Sequence, residues 1–160
     1  NNQICSIETL TGNNFKRWKR DVELALGLAD LDIALIDYEP PKLIDTSTAK
    51  QKTQYHKWNK ANRLSIMIMK KSISESFQGV MPDESNAKMF LDAIGQRYLQ
   101  SEKSETGDLT QTLSTMRYDG VSGVRSYIMK MQEIANKLTN LKVPIAETFL
   151  VHQALNSLPI

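Results

Sequence analysis

Cysteine, histidine, glycine and proline are all scarce in this sequence of 160 residues. The single cysteine, Cys5, excludes an internal disulfide framework and any zinc site built from several cysteines, and it favours a reducing, intracellular setting. Seven glycines and five prolines are few for an all-β protein, which needs many tight turns. No apolar run approaches the roughly 20 residues that span a bilayer, so we expect no membrane partner.

The signatures of common enzyme classes are also missing. The sequence contains no G-x-x-x-x-G-K-[ST], G-x-G-x-x-G, H-E-x-x-H or G-x-S-x-G pattern. Cys5 has no basic residue beside it in the sequence, which argues against a thiolate nucleophile. We therefore predict a protein that is not an enzyme, with no catalytic residues, metal ligands, cofactor or small-molecule substrate.

Acidic residues are absent from one stretch, Thr46 to Ser74, which contains seven cations. The rest of the chain has 13 basic and 18 acidic residues, a net charge of −5. One interpretation is a polyanion-binding surface, because cations without acids attract phosphates. The other is a solvated face whose cations pair with acids elsewhere, which the surplus of acids favours. The candidates for polyanion binding are Lys50, Lys52, Lys57, Lys60 and Arg63.

Apolar residues recur every three or four positions, which predicts helices throughout the chain. No stretch alternates with a period of two for long enough to indicate a strand. The predicted helices cover residues 14–29, 47–72, 86–99, 109–116, 122–141 and 146–158, with short helical turns at 31–36 and 74–77. The sequence therefore predicts an all-α protein of about six or seven helices.

Two stretches are predicted to lie outside helices. Residues 37–46 are expected to form a loop, because Pro40 and Pro41 remove backbone donors and end the preceding helical region. The second stretch, Ser101 to Thr106, contains no apolar residue. We interpret it as a linker between two subdomains, where limited proteolysis would cut first.

Side chains on the apolar stripes of these helices are candidates for the core. The main ones are Phe15, Trp18, Trp58, Phe90, Tyr127 and Leu138. In the basic stretch, Leu64, Met67 and Ile68 interrupt the polar face, which predicts that this half of the helix is buried nearly all round. Leu24 and Met129 lie away from the stripes of their helices, so they are candidates for contacts between protein chains.

Five segments form a pattern through their order and spacing. They are Leu10–Trp18, Trp58–Lys70, Met116–Gly120, Val124–Met131 and Phe149–Pro159. Together they resemble the Gag polypeptide of copia-type LTR retrotransposons. No segment is specific alone, but the resemblance covers nearly the whole chain.

The resemblance implies a retroviral-capsid-like fold with two helical lobes. The N-terminal capsid lobe would be residues 1–100. The C-terminal capsid lobe would be residues 101–160, and we expect it to lack its last helix.

The second lobe has a segment similar to the major homology region of retroviral capsids. Its turn contains Gly120, and its helix presents Val124, Tyr127 and Ile128. The retroviral motif has glutamine before the glycine and glutamate a few residues later. This sequence departs from it, with Asp119 before the glycine.

The resemblance further implies a structural Gag protein that self-assembles into cytoplasmic virus-like particles around element RNA. Its partner would be further copies of itself, in a homo-oligomer. RNA would be bound mainly through a zinc knuckle, for which this sequence lacks the cysteines. The alternative is a host-domesticated Gag-derived protein that acts as a protein-binding adaptor.

Overall fold

A computed structural model describes residues 6–158. Cys5 therefore lies outside the described residues. Seven helices make up the secondary structure of this range: α1 (Phe15–Leu28), α2 (Ile33–Ile36), α3 (Ala49–Lys71), α4 (Glu75–Gln78), α5 (Ala87–Thr115), α6 (Val124–Asn140) and α7 (Glu147–Ser157). One isolated parallel β-bridge joins Leu10 and Ile73, and residues 6–158 contain no strand. The prediction of an all-α protein with six or seven helices is confirmed.

The chain divides into two compact units, one ending at Tyr98 and the other beginning at Leu99. Each unit has a hydrophobic core of its own. Buried side chains of unit 1 include Leu10, Trp18, Val22, Leu26, Ala61, Met69, Phe90 and Ile94. Buried side chains of unit 2 include Leu113, Tyr127, Met131 and Leu138. The assignment of residues 1–100 and 101–160 to capsid lobes stays a prediction.

Ser101–Thr106 is predicted to be a linker outside any helix, and this prediction is wrong. These residues lie inside α5, a single helix of 29 residues that also contains the boundary between the units. Glutamate and lysine are good helix formers, and neither proline nor a turn motif interrupts them here. A solvated helix needs no apolar face, so the missing apolar residues reflect missing tertiary contact rather than missing helix.

Two polar side chains tie the elements of unit 1 to each other. The indole nitrogen of the fully buried Trp18 donates a hydrogen bond to the Ser72 hydroxyl at 2.9 Å. The buried Asn62 amide donates to the Ser85 carbonyl at 2.7 Å and accepts from the Ala87 backbone N–H at 2.6 Å. Asn62 therefore fixes the first turn of α5 against α3.

Candidate self-association and polyanion-binding surfaces

Helix α3 carries the basic stretch of the sequence. It starts with a capping box, in which the Thr48 hydroxyl accepts from the Gln51 N–H and the Gln51 side chain accepts from the Thr48 N–H. The buried positions of α3, including Trp58 and Met69, follow one face. The five candidate cations all lie on the surface: Lys50, Lys52, Lys57, Lys60 and Arg63.

None of these cations is ion-paired within residues 6–158. The ion pairs of that range are Arg17–Glu8 at 3.2 Å, Lys19–Glu23 at 3.9 Å and Lys137–Glu133 at 3.8 Å. Pairing of the α3 cations with acids elsewhere in the chain is therefore not seen among the described residues, and polyanion binding by these cations stays a prediction. A different cation of α3 does contact another side chain: the Lys70 ammonium makes a cation–π contact, 5.9 Å from the centre of the Phe90 ring.

The second half of α3 is less buried than the sequence predicts. Met67 is 58% exposed, while Leu64 and Ile68 are half-buried. The neighbouring elements of unit 1 cover only one side of the helix, so the opposite side stays open. An apolar side chain therefore stands among cations on a solvated surface.

Leu24 and Met129, the candidates for contacts between chains, both lie on the surface. Leu24 is 52% exposed, and one turn further along α1 the exposed Leu28 extends the apolar surface. Met129 is 59% exposed on α6. Further exposed apolar side chains, such as Val151 and Leu155 on α7, were missed because periodicity does not tell the covered side of a short helix from the open side.

The segment similar to the major homology region has an ordered turn. Gly120 has a φ of 76°, in the left-handed region that glycine adopts without strain. Asp119 accepts hydrogen bonds from the backbone N–H of Val121 and from both the N–H and the hydroxyl of Ser122. The Tyr118 hydroxyl donates to the Ser122 carbonyl. Asp119 therefore closes this turn.

The helix after the turn is only partly in the core. The Tyr127 ring is buried, and its hydroxyl lies 2.6 Å from the Ser157 hydroxyl. Val124 and Ile128 are exposed at about two-fifths of their surface, which corrects their placement on a buried stripe. They belong to the first turns of α6, where the unit has less structure to cover them. Leu138, further along, is fully buried.

The other core candidates lie in unit 1. Trp18 and Phe90 are fully buried and Trp58 is nearly so. Phe15 is half-buried and stacks on Tyr98 with ring centres 5.2 Å apart. Burial raises the pKa of the Tyr98 hydroxyl, which donates to the Thr11 carbonyl.

The hydrogen bonds of the Asp119 turn are expected to make the stability of unit 2 depend on pH. The hydrogen bonds from the Ser122 hydroxyl, the Ser122 N–H and the Val121 N–H lower the pKa of Asp119 to about 2. Since the folded state favours the carboxylate, its contribution to stability is full above the unfolded pKa of about 4 and is lost as the pH falls towards 2. We expect Asp119→Asn to flatten the dependence of the melting temperature on pH between 5 and 2.

Circular dichroism during thermal unfolding measures this effect. Asp108→Asn is the matched control, because Asp108 is an exposed acid on α5 outside the turn. Superimposable pH profiles of Asp119→Asn and the wild type would contradict a role for the carboxylate in holding the turn.

No cluster of three or more metal-ligating side chains is present within residues 6–158. No helix in this range combines the length and the apolar character needed to cross a membrane. A cleft of about 350 Å³ lies beside the Asp119 turn, lined by Arg117, Tyr118, Ser126 and Lys130 among others.

Comparison with known proteins places the chain in one family. Neither curated proteins nor solved structures give a significant match. The family described as the gag-polypeptide of LTR copia-type matches residues 14–160, nearly the whole chain. Over that range the suspected resemblance is confirmed. The chain therefore belongs to the family of Gag polypeptides of copia-type LTR retrotransposons.

Proposed function

We propose that this chain is a capsid subunit of a retrotransposon Gag protein, and that it self-associates into virus-like particles in the cytoplasm. The family match over residues 14–160 carries the proposal, because the family consists of structural Gag polypeptides. Two helical units with separate cores support a retroviral-capsid-like architecture. The role is structural, so no reaction is assigned to the chain.

Exposed apolar side chains on several helices supply surfaces for self-association. Leu24 on α1, Met129 on α6 and Leu155 on α7 are each more than half exposed. Apolar surface that the fold leaves open favours contacts between chains. Many weak contacts of this kind sum to a stable assembly when each subunit engages several neighbours.

Element RNA is the second proposed partner, enclosed by the particle. We assign RNA binding mainly to a zinc knuckle, and this sequence has only Cys5 where a knuckle needs three cysteines and a histidine. Direct RNA binding by this chain is therefore expected to be weak, non-specific and lost on adding salt.

Electron microscopy of the concentrated protein tests the proposal. We expect shells or tubes, accompanied in sedimentation by species far larger than the 18.1 kDa chain. The double variant Leu24→Ser/Met129→Ser is expected to form fewer particles, while Thr53→Ser/Thr110→Ser, at exposed helical sites, is the matched control. A monomer at every concentration and salt condition, with and without single-stranded RNA, would contradict the capsid role.

A further inference from the structure

We propose that the outer face of α3 docks onto the loop of residues 36–45, which includes Ile36 at the end of α2, on a second copy of this chain. The inference rests on the proposed self-association and names two surfaces that would make one of its contacts. Both surfaces belong to unit 1.

The outer face of α3 consists of Lys60, Arg63, Met67 and Lys71. These residues are three or four positions apart, so they share one side of the helix. All four are exposed, and they lie opposite the side on which Met69 is buried. Within residues 6–158, none of the three cations has a carboxylate at ion-pair distance. The surface thus offers three unpaired charges around one apolar side chain.

The loop of residues 36–45 has the complementary character. Its exposed acids are Asp37, Glu39 and Asp45, against one lysine in the same loop. Its exposed apolar side chains are Ile36, Tyr38 and Ile44, of which Tyr38 is 94% exposed. An aromatic ring so far out of the fold has no role in the core of its own unit. The loop thus combines acidic and apolar side chains, whereas the outer face of α3 combines basic side chains with an apolar one.

The loop is held in shape before any partner binds. Near its start, the Trp58 indole N–H donates to the Asp37 carbonyl at 3.4 Å. At its end, the Ile44 N–H donates to the Ser47 hydroxyl at 2.9 Å and the Ser47 N–H to the Ile44 carbonyl at 3.0 Å. Pro40 and Pro41 restrict the backbone between these anchors. A preorganised loop loses little conformational entropy on binding, which favours docking.

A second copy is favoured over the chain's own loop as the partner of α3. The anchors fix the loop beside Trp58, on the buried side of α3, and leave the cations of the outer face unpaired. The loop of a second copy carries the same acids, and it is not anchored to the buried side of this α3. Opposite charges would then meet across the contact, while Met67 and Tyr38 supply apolar area.

The side chains on α3 favour a protein partner over RNA. Single-stranded nucleic acid is bound by aromatic rings that stack on bases as well as by cations. Of the aromatic rings of α3, Trp58 is buried and Tyr55 is half-buried, which leaves only the small imidazole of the exposed His56 for stacking. An exposed methionine among lysines fits an apolar contact, since phosphates gain nothing from it.

Charge reversal tests the contact. The helix variant Lys60→Glu/Arg63→Glu/Lys71→Glu and the loop variant Asp37→Lys/Glu39→Lys/Asp45→Lys each place like charges together. We expect each to weaken self-association of the full chain by about tenfold or more, because like charges across an interface repel. A mixture of the two variants restores charge complementarity and is expected to recover wild-type association at equal total concentration. The combined six-residue variant is expected to recover it alone.

Sedimentation velocity at low and moderate salt provides the measurement. The control Arg97→Glu/Lys103→Glu/Lys142→Glu changes net charge as much as the helix variant does, at exposed sites away from Leu24 and Met129, and is expected to associate like the wild type. Circular dichroism shows whether each variant keeps its helices. If the wild type assembles and the reversed variants assemble equally well, the docking contact is wrong and the capsid role stands. If the wild type never assembles, the capsid role itself fails.

RNA is the competing partner, and fluorescence anisotropy with a single-stranded RNA separates it. Micromolar RNA binding that is lost in the helix variant, together with no rescue of association in the mixture, would assign the cations to RNA and overturn the contact. Rescue in the mixture supports the contact, because cations that served only RNA would leave the loop variant, which keeps them, as associated as the wild type and with nothing to rescue.

Discussion

Replacing Trp18 with alanine is expected to destabilise unit 1 by about 3–5 kcal/mol, the usual loss when a large buried aromatic side chain is removed. Trp18 is fully buried and is the largest side chain of its core, and its indole N–H pairs with the Ser72 hydroxyl. The substitution leaves a cavity and also removes that hydrogen bond. Trp58→Ala is expected to cost somewhat less, because its ring is 5% exposed and its bond to the Asp37 carbonyl is longer.

Urea denaturation followed by tryptophan fluorescence measures this loss. Both tryptophans of the chain lie in unit 1, so the signal of the remaining one reports that unit alone. Leu24→Ala is the control on the same helix, and its half-exposed side chain predicts a change within about 0.5 kcal/mol. A loss below about 1 kcal/mol for Trp18→Ala would contradict its burial.

Replacing Asn62 with leucine is expected to destabilise unit 1 by about 2–4 kcal/mol, although leucine has a similar size and greater hydrophobicity. The substitution leaves the Ala87 N–H and the Ser85 carbonyl without partners, and an unpaired buried polar group costs about 1–3 kcal/mol. Asn62 itself is buried, so water does not replace the lost bonds easily.

Asn59→Leu provides the matched comparison, because it makes the same change at an exposed position of the same helix. It is expected to alter the free energy of unfolding by no more than about 0.5 kcal/mol. Equal effects of the two substitutions in urea denaturation would show that the Asn62 bonds add nothing to stability.

Helix positions and core aromatics could be predicted from the sequence because both follow from local spacing. The helix predicted at residues 122–141 spans Val124–Asn140 in the structure, and Trp18 is buried as its stripe implies. Asn62 lies on the buried face of α3, with Trp58 and Met69. Its partners did not follow from that position, since they are backbone groups more than 20 residues away in sequence.

Features that depend on what covers a helix could not be predicted. Met67 is an apolar residue within a helix, yet no neighbouring element packs over it. Only the tertiary structure decides whether such a side chain is covered. The same holds for the loop of residues 36–45, where prolines ended a helix in the prediction but its exposed Tyr38 gave no periodic signal. For Ser101–Thr106, the polar composition predicted an interruption of the helix. Every residue in this segment is nevertheless compatible with a helix.

The continuity of α5 has a consequence for how the chain folds. Starting a helix is unfavourable because several residues must be fixed for a single hydrogen bond, whereas each added residue gains one bond of its own. Once Phe90 and Ile94 pack into unit 1, the turns beyond Tyr98 grow from an existing helix end. The segment that carries Leu113 into the core of unit 2 is thereby spared a separate nucleation step. Unit 1 is therefore expected to fold first and to speed the folding of unit 2 by templating its first helix.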